Sequence, residues 1–254
     1  MARTYHGFVQ QRLRSQFARP ITFAHRGARA HAQENTLEAF RLALRLGATG
    51  LESDVWNTAD GEVILDHDGL IKLGGRKRTI DQTARSQLPS HIPTLDELFD
   101  TCGTSYHLSL DIKDPSALAT VISVVRNRDE SMLERLWICH PDYQFLVSNR
   151  HKTEGAHLVD STRLAKIKEG PERRAATLAS SGIDVCNMHH TDWSGGLVAL
   201  FHRFNVATFS WDLQYEPALQ SAFRMGIDAV YSDWVDRMVD VYHREIDDSG
   251  SDEL

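Results

Sequence analysis

The chain has 254 residues, which suits one large domain or two small ones, and single eight-fold β/α barrels reach this length as one unit. Hydrophobic residues at 41% and charged residues at 25% are ordinary globular proportions and exclude disordered, collagen-like and membrane-spanning classes. The formal charge of -7, from 35 acidic and 28 basic residues, argues against a nucleic-acid partner, and it is unevenly spread. Residues 245–254 hold five acids and no base, residues 1–20 carry Arg3, Arg12, Arg14 and Arg19 and no acid, and the body 21–244 keeps 30 acids against 24 bases.

Taken in chain order, residues 1–20 form a basic segment without the apolar core of a secretory signal, read as a short surface helix at one end of the domain. ITFAHRG (21–27) reads as a strand, and NTLEAFRLALRLGA (35–48) as a helix, with Leu37, Ala39, Phe40, Ala43, Leu44 and Leu46 at helical spacing. GLESDVW (50–56) is a second strand, followed by an Asp-Gly turn and a hairpin partner at VILDHD (63–68). The stretch 68–93, rich in Arg, Lys and Gly, reads as a long loop. Thr94 and Glu97 form a capping-box pattern that opens a helix.

Strands then recur at 107–113, 135–140, 156–161, 184–190, 206–211 and 228–234, most of them separated by helical segments. Apart from the hairpin strand this makes eight βα units, which predicts one parallel (β/α)₈ barrel over 21–244 with an extra hairpin strand after strand 2. A doubly wound open sheet is the alternative, but no glycine-rich phosphate turn follows the first strand. The tail 245–254 is expected to be disordered. Cys102, Cys139 and Cys186 are far apart and odd in number, which fits a reducing, cytoplasmic setting rather than a disulfide framework.

In a parallel barrel the strand C-termini form the working face. His25 and Arg26 end the first strand; Glu52 and Asp54 end the second at i, i+2 and so point to one side. His67 ends the hairpin strand, Asp111 and Lys113 the third barrel strand, and Trp211 the seventh. Taken singly, each has a bland reading: a hydrogen-bonded structural histidine, a solvated strand end, a surface ion pair, a core indole. Together they bring three carboxylates to one rim, where they repel unless a cation lies among them. Oxygen ligands without clustered cysteines or an H-x-H pair favour Mg²⁺ or Ca²⁺, with Mn²⁺ also admitted, over zinc. Two histidines suit proton transfer, and Arg26 and Lys113 suit phosphate oxygens, so the set points to phosphoryl chemistry.

The tract AHRGARAHAQENTLEAFRLALRLGATGLESDVWNTADGEVILDHD, followed in order by IPTLDELF, LDIK, FSWDL and GIDAVYSDW, closely resembles the glycerophosphodiester phosphodiesterase family over roughly residues 20–240. The resemblance implies a barrel of the phospholipase C-like phosphodiesterase type that hydrolyses glycerophosphodiesters to glycerol 3-phosphate and an alcohol with a divalent cation. It implies His25 and His67 as the catalytic pair, Glu52, Asp54 and Asp111 as metal ligands, Arg26 and Lys113 as phosphate contacts, and Trp211 on the substrate side. Glu34 and Asn35, of the ENT signature, border the site.

The chain departs from the family pattern at Asp111, where many members have Glu, and at Asp212-Leu213 after Trp211, Val235 and Gln33. The partner is a small phosphodiester, with no nucleic acid and no integral membrane segment expected; oligomeric state, head-group preference and the roles of His140, His189 and His190 stay open. A lysophospholipase D-type or sphingomyelinase D-like activity on lysophospholipids is the runner-up and would need an apolar entry. The aliphatic residues of 68–93 available for one are Leu70, Ile71, Leu73, Ile80, Leu88 and Ile92. A catalytically silent barrel that binds a phosphate metabolite is the third reading.

Overall fold

Short apolar runs rich in β-branched and aromatic residues form strands, and amphipathic runs closed by caps form the helices between them. The structure, a computed structural model, describes residues 12–247. In chain order it has β1 (Ile21–His25), α1 (Leu37–Arg45), β2 (Gly50–Asn57), β3 (Val63–Leu65), β4 (Leu70–Leu73), β5 (Arg76–Thr79), α2 (Leu95–Cys102), β6 (His107–Ile112), α3 (Ala117–Arg128) and β7 (Leu136–His140). It continues with α4 (Tyr143–Asn149), β8 (His157–Thr162), α5 (Pro171–Ser180), β9 (Val185–His189), α6 (Gly195–Arg203), β10 (Ala207–Trp211), α7 (Glu216–Arg224), β11 (Ala229–Ser232) and α8 (Val235–Tyr242).

Strand β1 pairs in parallel with both β11 and β2, which closes eight parallel strands into a barrel in the order β1, β2, β6, β7, β8, β9, β10, β11. The expected extra strand, β3, lies outside the ring, antiparallel to β2 with Val55 opposite Leu65. Thr94 and Glu97 make the reciprocal capping box at the start of α2. Helix faces carrying Phe40, Phe99, Val121, Leu178, Phe201 and Phe223 pack against the outward side chains of the strands.

Inside the barrel, Phe23 stacks on Tyr231 at 4.8 Å and Trp137 tilts against Phe209 at 5.0 Å, while Phe17 reaches Trp137 at 5.7 Å. Burying each such ring is worth about 1.5–3 kcal/mol. Because side chains alternate along a strand, the inward positions two residues beyond this aromatic plug open at the C-terminal mouth. Phe23 is thus followed by His25, Phe209 by Trp211 and Tyr231 by Asp233.

Three expectations are corrected. Residues 12–20 are not helical: Leu13 N donates to Arg224 O at 2.9 Å, and Ser15 Oγ and Gln16 N donate to Asp228 Oδ1 at 2.7 and 2.6 Å, so these groups bond to the barrel instead of to a helix of their own. Residues 245–247 are not loose either. They complete a π-helical turn, His243–Asp247, in which Glu245 pairs with Arg224 and Asp247 with Arg19, each at 2.7 Å. The rest of the expected basic helix and acidic tail, residues 1–11 and 248–254, lies outside the described residues.

The third correction concerns 68–93, which is built rather than irregular. Strands β4 and β5 form a hairpin about Gly74-Gly75, and Ile64, Ile71, Ile80, Leu88 and Ile92 make a separate small core with Trp56 and Leu73 against it. Cys102, Cys139 and Cys186 are unpaired. Among the described residues no helix is long and apolar enough to cross a membrane.

Candidate active site

The barrel register sets the site. His25 is paired with Glu52 across β1 and β2, and Asp54 with Asp111 across β2 and β6. After β1 the chain turns through Arg26 (φ 54°) and Gly27 (φ 80°). A Cβ on Gly27 would lie 2.7 Å from the carbonyl carbon of Ala39 in α1, so only glycine allows the turn to lie this close to the helix. The turn aims Arg26 N at Glu52 Oε2, a 2.9 Å hydrogen bond. Arg26, Asn35 (φ 53°) and Asp212 (φ 65°) all hold left-handed backbone at this face, a strain that functional sites concentrate.

A cavity of ≈ 780 Å³ at the mouth is lined by His25, Arg26, Glu52, His67, Asp111, Lys113 and Trp211, seven of the residues expected from sequence. Asp54 lies beneath it, 2% exposed, with Lys113 Nζ 3.0 Å from its Oδ1 and Arg26 Nε 3.3 Å from its Oδ2. Glu34 and Asn35 line a smaller neighbouring cavity that His67 also lines. There Glu34 accepts from Arg26 Nη1 at 3.1 and 3.3 Å, and Asn35 Oδ1 accepts from Ser53 Oγ at 2.8 Å. Glu34 thus holds the Arg26 guanidinium, and Asn35 fixes the loop to β2.

His25 Nδ1 donates to Asp233 Oδ1 at 2.6 Å, and its Nε2 stands 3.9 Å from Glu52 Oε2. Burial pulls this imidazole down, but the Glu52 charge and the Asp233 bond outweigh it and the pKa is raised. Asp233 is in turn oriented by Gln214, whose Oε1 accepts from Asp233 N at 3.0 Å, and by Arg29 at 3.6 Å. On the hairpin side, His67 Nδ1 is 2.7 Å from Asp68 Oδ1. Sequence reasoning did not select Asp233, Arg29 or Gln214, nor the cavity-floor residues Ser109, Asn187 and Tyr231. For Asp233 a signal existed, its place two residues beyond Tyr231 at the end of the last strand.

Lys113 Nζ lies 3.0 Å from both Asp54 Oδ1 and Asp111 Oδ2. Burial would lower its pKa, yet the two carboxylates raise it strongly, so it is a fixed cation. Both expected phosphate ligands, Arg26 and Lys113, thus turn to carboxylates here. The three expected metal ligands do not converge: among the described residues, only His189, His190 and Asp212 bring three ligand atoms within 4.8 Å of one another. The oxygen set nonetheless fits a hard cation. Glu52 is raised by burial, with Asp54 and Asp111 adding to the shift, and Asp54 Oδ2 is buried without a hydrogen-bond partner. A divalent cation held by these oxygens would relieve both.

Residues 25–237 match the model of the glycerophosphoryl diester phosphodiesterase family. A glycerophosphodiester phosphodiesterase of Bacillus altitudinis is 24% identical over 250 residues, covering 86% of this chain and 96% of that protein. The protein named "Probable glycerophosphodiester phosphodiesterase 1" of Mycobacterium tuberculosis is 51% identical over 148 residues, 58% of this chain and 49% of its own length. An Oleispira antarctica phosphodiesterase, solved in complex with the product sn-glycerol-3-phosphate, superposes with a TM-score of 0.71 at 20% identity over 87% of this chain and 96% of that one. A family match that starts at His25 and runs past Asp233, over the same barrel, leads to one assignment: the chain belongs to the glycerophosphoryl diester phosphodiesterase family, a family of phosphoric diester hydrolases.

Proposed function

We propose that this protein hydrolyses water-soluble glycerophosphodiesters to glycerol 3-phosphate and an alcohol, using a divalent cation and two histidines. The observation that carries the reading is His25, fixed through Nδ1 by Asp233 so that Nε2 is left for the cavity, in one chamber with His67, Glu52 and Asp111. When bound by Glu52, Asp54 and Asp111, Mg²⁺ or Ca²⁺ supplies positive charge for phosphate oxygens. Arg26 offers a bidentate fork and Lys113 a point charge for the remaining oxygens once substrate competes for them. Glu34 keeps the Arg26 fork oriented. One imidazole accepts the nucleophile's proton and the other gives one to the departing alcohol oxygen. Trp211, with the Arg163 guanidinium 5.6 Å from its ring, walls the alcohol side.

The preference for soluble substrates over lysophospholipids rests on the segment 68–93. Of its six large aliphatics, Ile71, Ile80, Leu88 and Ile92 are buried in the small core beside β3, so they are spent on packing and cannot line an acyl channel. We infer a cytoplasmic setting from the free thiols and this substrate class. The test is a panel of glycerophosphocholine, glycerophosphoethanolamine and lysophosphatidylcholine assayed with Mg²⁺, Ca²⁺ or Mn²⁺, with glycerol 3-phosphate measured as product. Turnover of the lysophospholipid alone would replace the reading, and no turnover of any member would leave a phosphate-binding barrel.

A further inference from the structure

Where β9 and β10 end at the rim, His189, His190 and Asp212 form the one group of three among the described residues with ligand atoms within 4.8 Å of one another. None of the three has a part in the reaction proposed above. His189 Nε2 is 3.0 Å from Asp212 Oδ2, and the His189 and His190 rings lie 4.5 Å apart at 30°. Asp212 reaches this position through left-handed backbone, φ 65°, an arrangement that costs energy for a non-glycine residue. Two nitrogens and one carboxylate oxygen make a borderline donor set, different in kind from the all-oxygen set of Glu52, Asp54 and Asp111.

Polar groups stand behind two of these ligands. Thr191 N donates to His189 Nδ1 at 3.2 Å, which places the neutral ring's proton on Nε2, toward Asp212. Thr191 Oγ1 stands 2.8 Å from the same Nδ1 and can accept a proton there. Metal at Nε2 requires the ring proton to move to Nδ1, where Thr191 Oγ1 accepts it in place of the Thr191 N–H bond, with no net loss of a proton. Asp212 Oδ1 accepts from Gln214 Nε2 at 3.2 Å, which leaves Oδ2 for the metal.

We propose that His189, His190 and Asp212 form a transition-metal site for Zn²⁺ at the alcohol-side rim, with water completing a tetrahedral shell. The site is separate from the hard-cation site and beside Trp211, whose ring is 4.6 Å from that of His189.

The test is competition of the full-length protein with a chromophoric chelator for Zn²⁺ in millimolar Mg²⁺, with Co²⁺ absorption as a second readout. One tight site is expected in the wild type and in Glu52→Gln, absent in His189→Ala and His190→Ala, and weakened on the order of 10-fold in Thr191→Val. Tetrahedral Co²⁺ bands should vanish in the same histidine variants, with urea unfolding used to confirm that they are folded. A site lost in Glu52→Gln but kept in His190→Ala would put the zinc on the carboxylates and overturn the proposal, as would absence of tight Zn²⁺ binding. Because the readouts are binding and spectra, they stand whether or not the hydrolysis reading holds.

Discussion

Asp233→Asn isolates the contact that most distinguishes His25 from an ordinary strand-end histidine. The 2.6 Å bond from Nδ1 joins a carboxylate and an imidazole whose side chains are 23% and 27% exposed, so solvent screens the pair only in part. A hydrogen bond to a charged group contributes about 1.5–3 kcal/mol. Asparagine keeps the shape and loses the charge, so turnover should fall roughly 10- to 100-fold, at about 1.4 kcal/mol per factor of ten. The pH profile gives an independent sign. Asp233 helps raise the His25 pKa, so its removal must move the His25 limb to lower pH, whether the working form is the imidazole or the imidazolium. Steady-state kinetics from pH 5 to 9 on a soluble glycerophosphodiester, beside Asp236→Asn as control, would measure both effects; Asp236 pairs with His31 at 3.0 Å outside the cavity lining. Unchanged turnover together with an unmoved profile would refute the view that Asp233 sets the state of His25.

Other outcomes follow from the same geometry. His25→Ala and His67→Ala should each lower turnover by roughly 10²- to 10⁴-fold in folded protein, and near-normal rates in either would end the two-histidine scheme. Chelation with EDTA should abolish activity and Mg²⁺, Ca²⁺ or Mn²⁺ should restore it; full activity after chelation would remove the cation from the mechanism. At the opposite end of the barrel Asp228, fully buried, accepts from His202 at 2.7 Å, Thr208 N at 2.6 Å and Gln16 N at 2.6 Å. Burial alone would raise the Asp228 carboxyl, but these bonds hold it below the ordinary carboxylate range, so its contribution exists above the unfolded pKa and is lost as pH falls through the folded one. Asp228→Asn should therefore cost about 3–5 kcal/mol near pH 7 by urea unfolding, with the gap to wild type closing in acid. Gly27→Ala should cost about 2–4 kcal/mol and impair activity with it, through the positive φ and the Ala39 contact.

Much of the fold is legible in the sequence because strands and caps are local. Periodicity of two places Glu52 and Asp54 on one face whatever the neighbours, the Thr94 and Glu97 capping box forms within four residues, and eight βα repeats leave little room for another architecture. The ordered motifs likewise identify the family, since they lie in short tracts. Local signals were weaker in 68–93, where the basic run masked the alternation of β4 and β5, and in 12–20, whose conformation is set by bonds to α7 and Asp228 rather than by its own residues.

The rest of the site depends on contacts between residues distant in the chain. Closure of β1 on β11 brings Asp233 to His25 across 208 positions, and no spacing rule could name that pair. Lys113 lies between Asp54 and Asp111 because β2 and β6 are in register, so the carboxylate charges seen in the sequence are partly compensated by the chain's own ammonium. Side-chain period and capping act over a few residues and can be read along the chain. Ion pairs, the cavity and the convergence of His189, His190 and Asp212 arise only when the barrel brings separate strand ends to one rim.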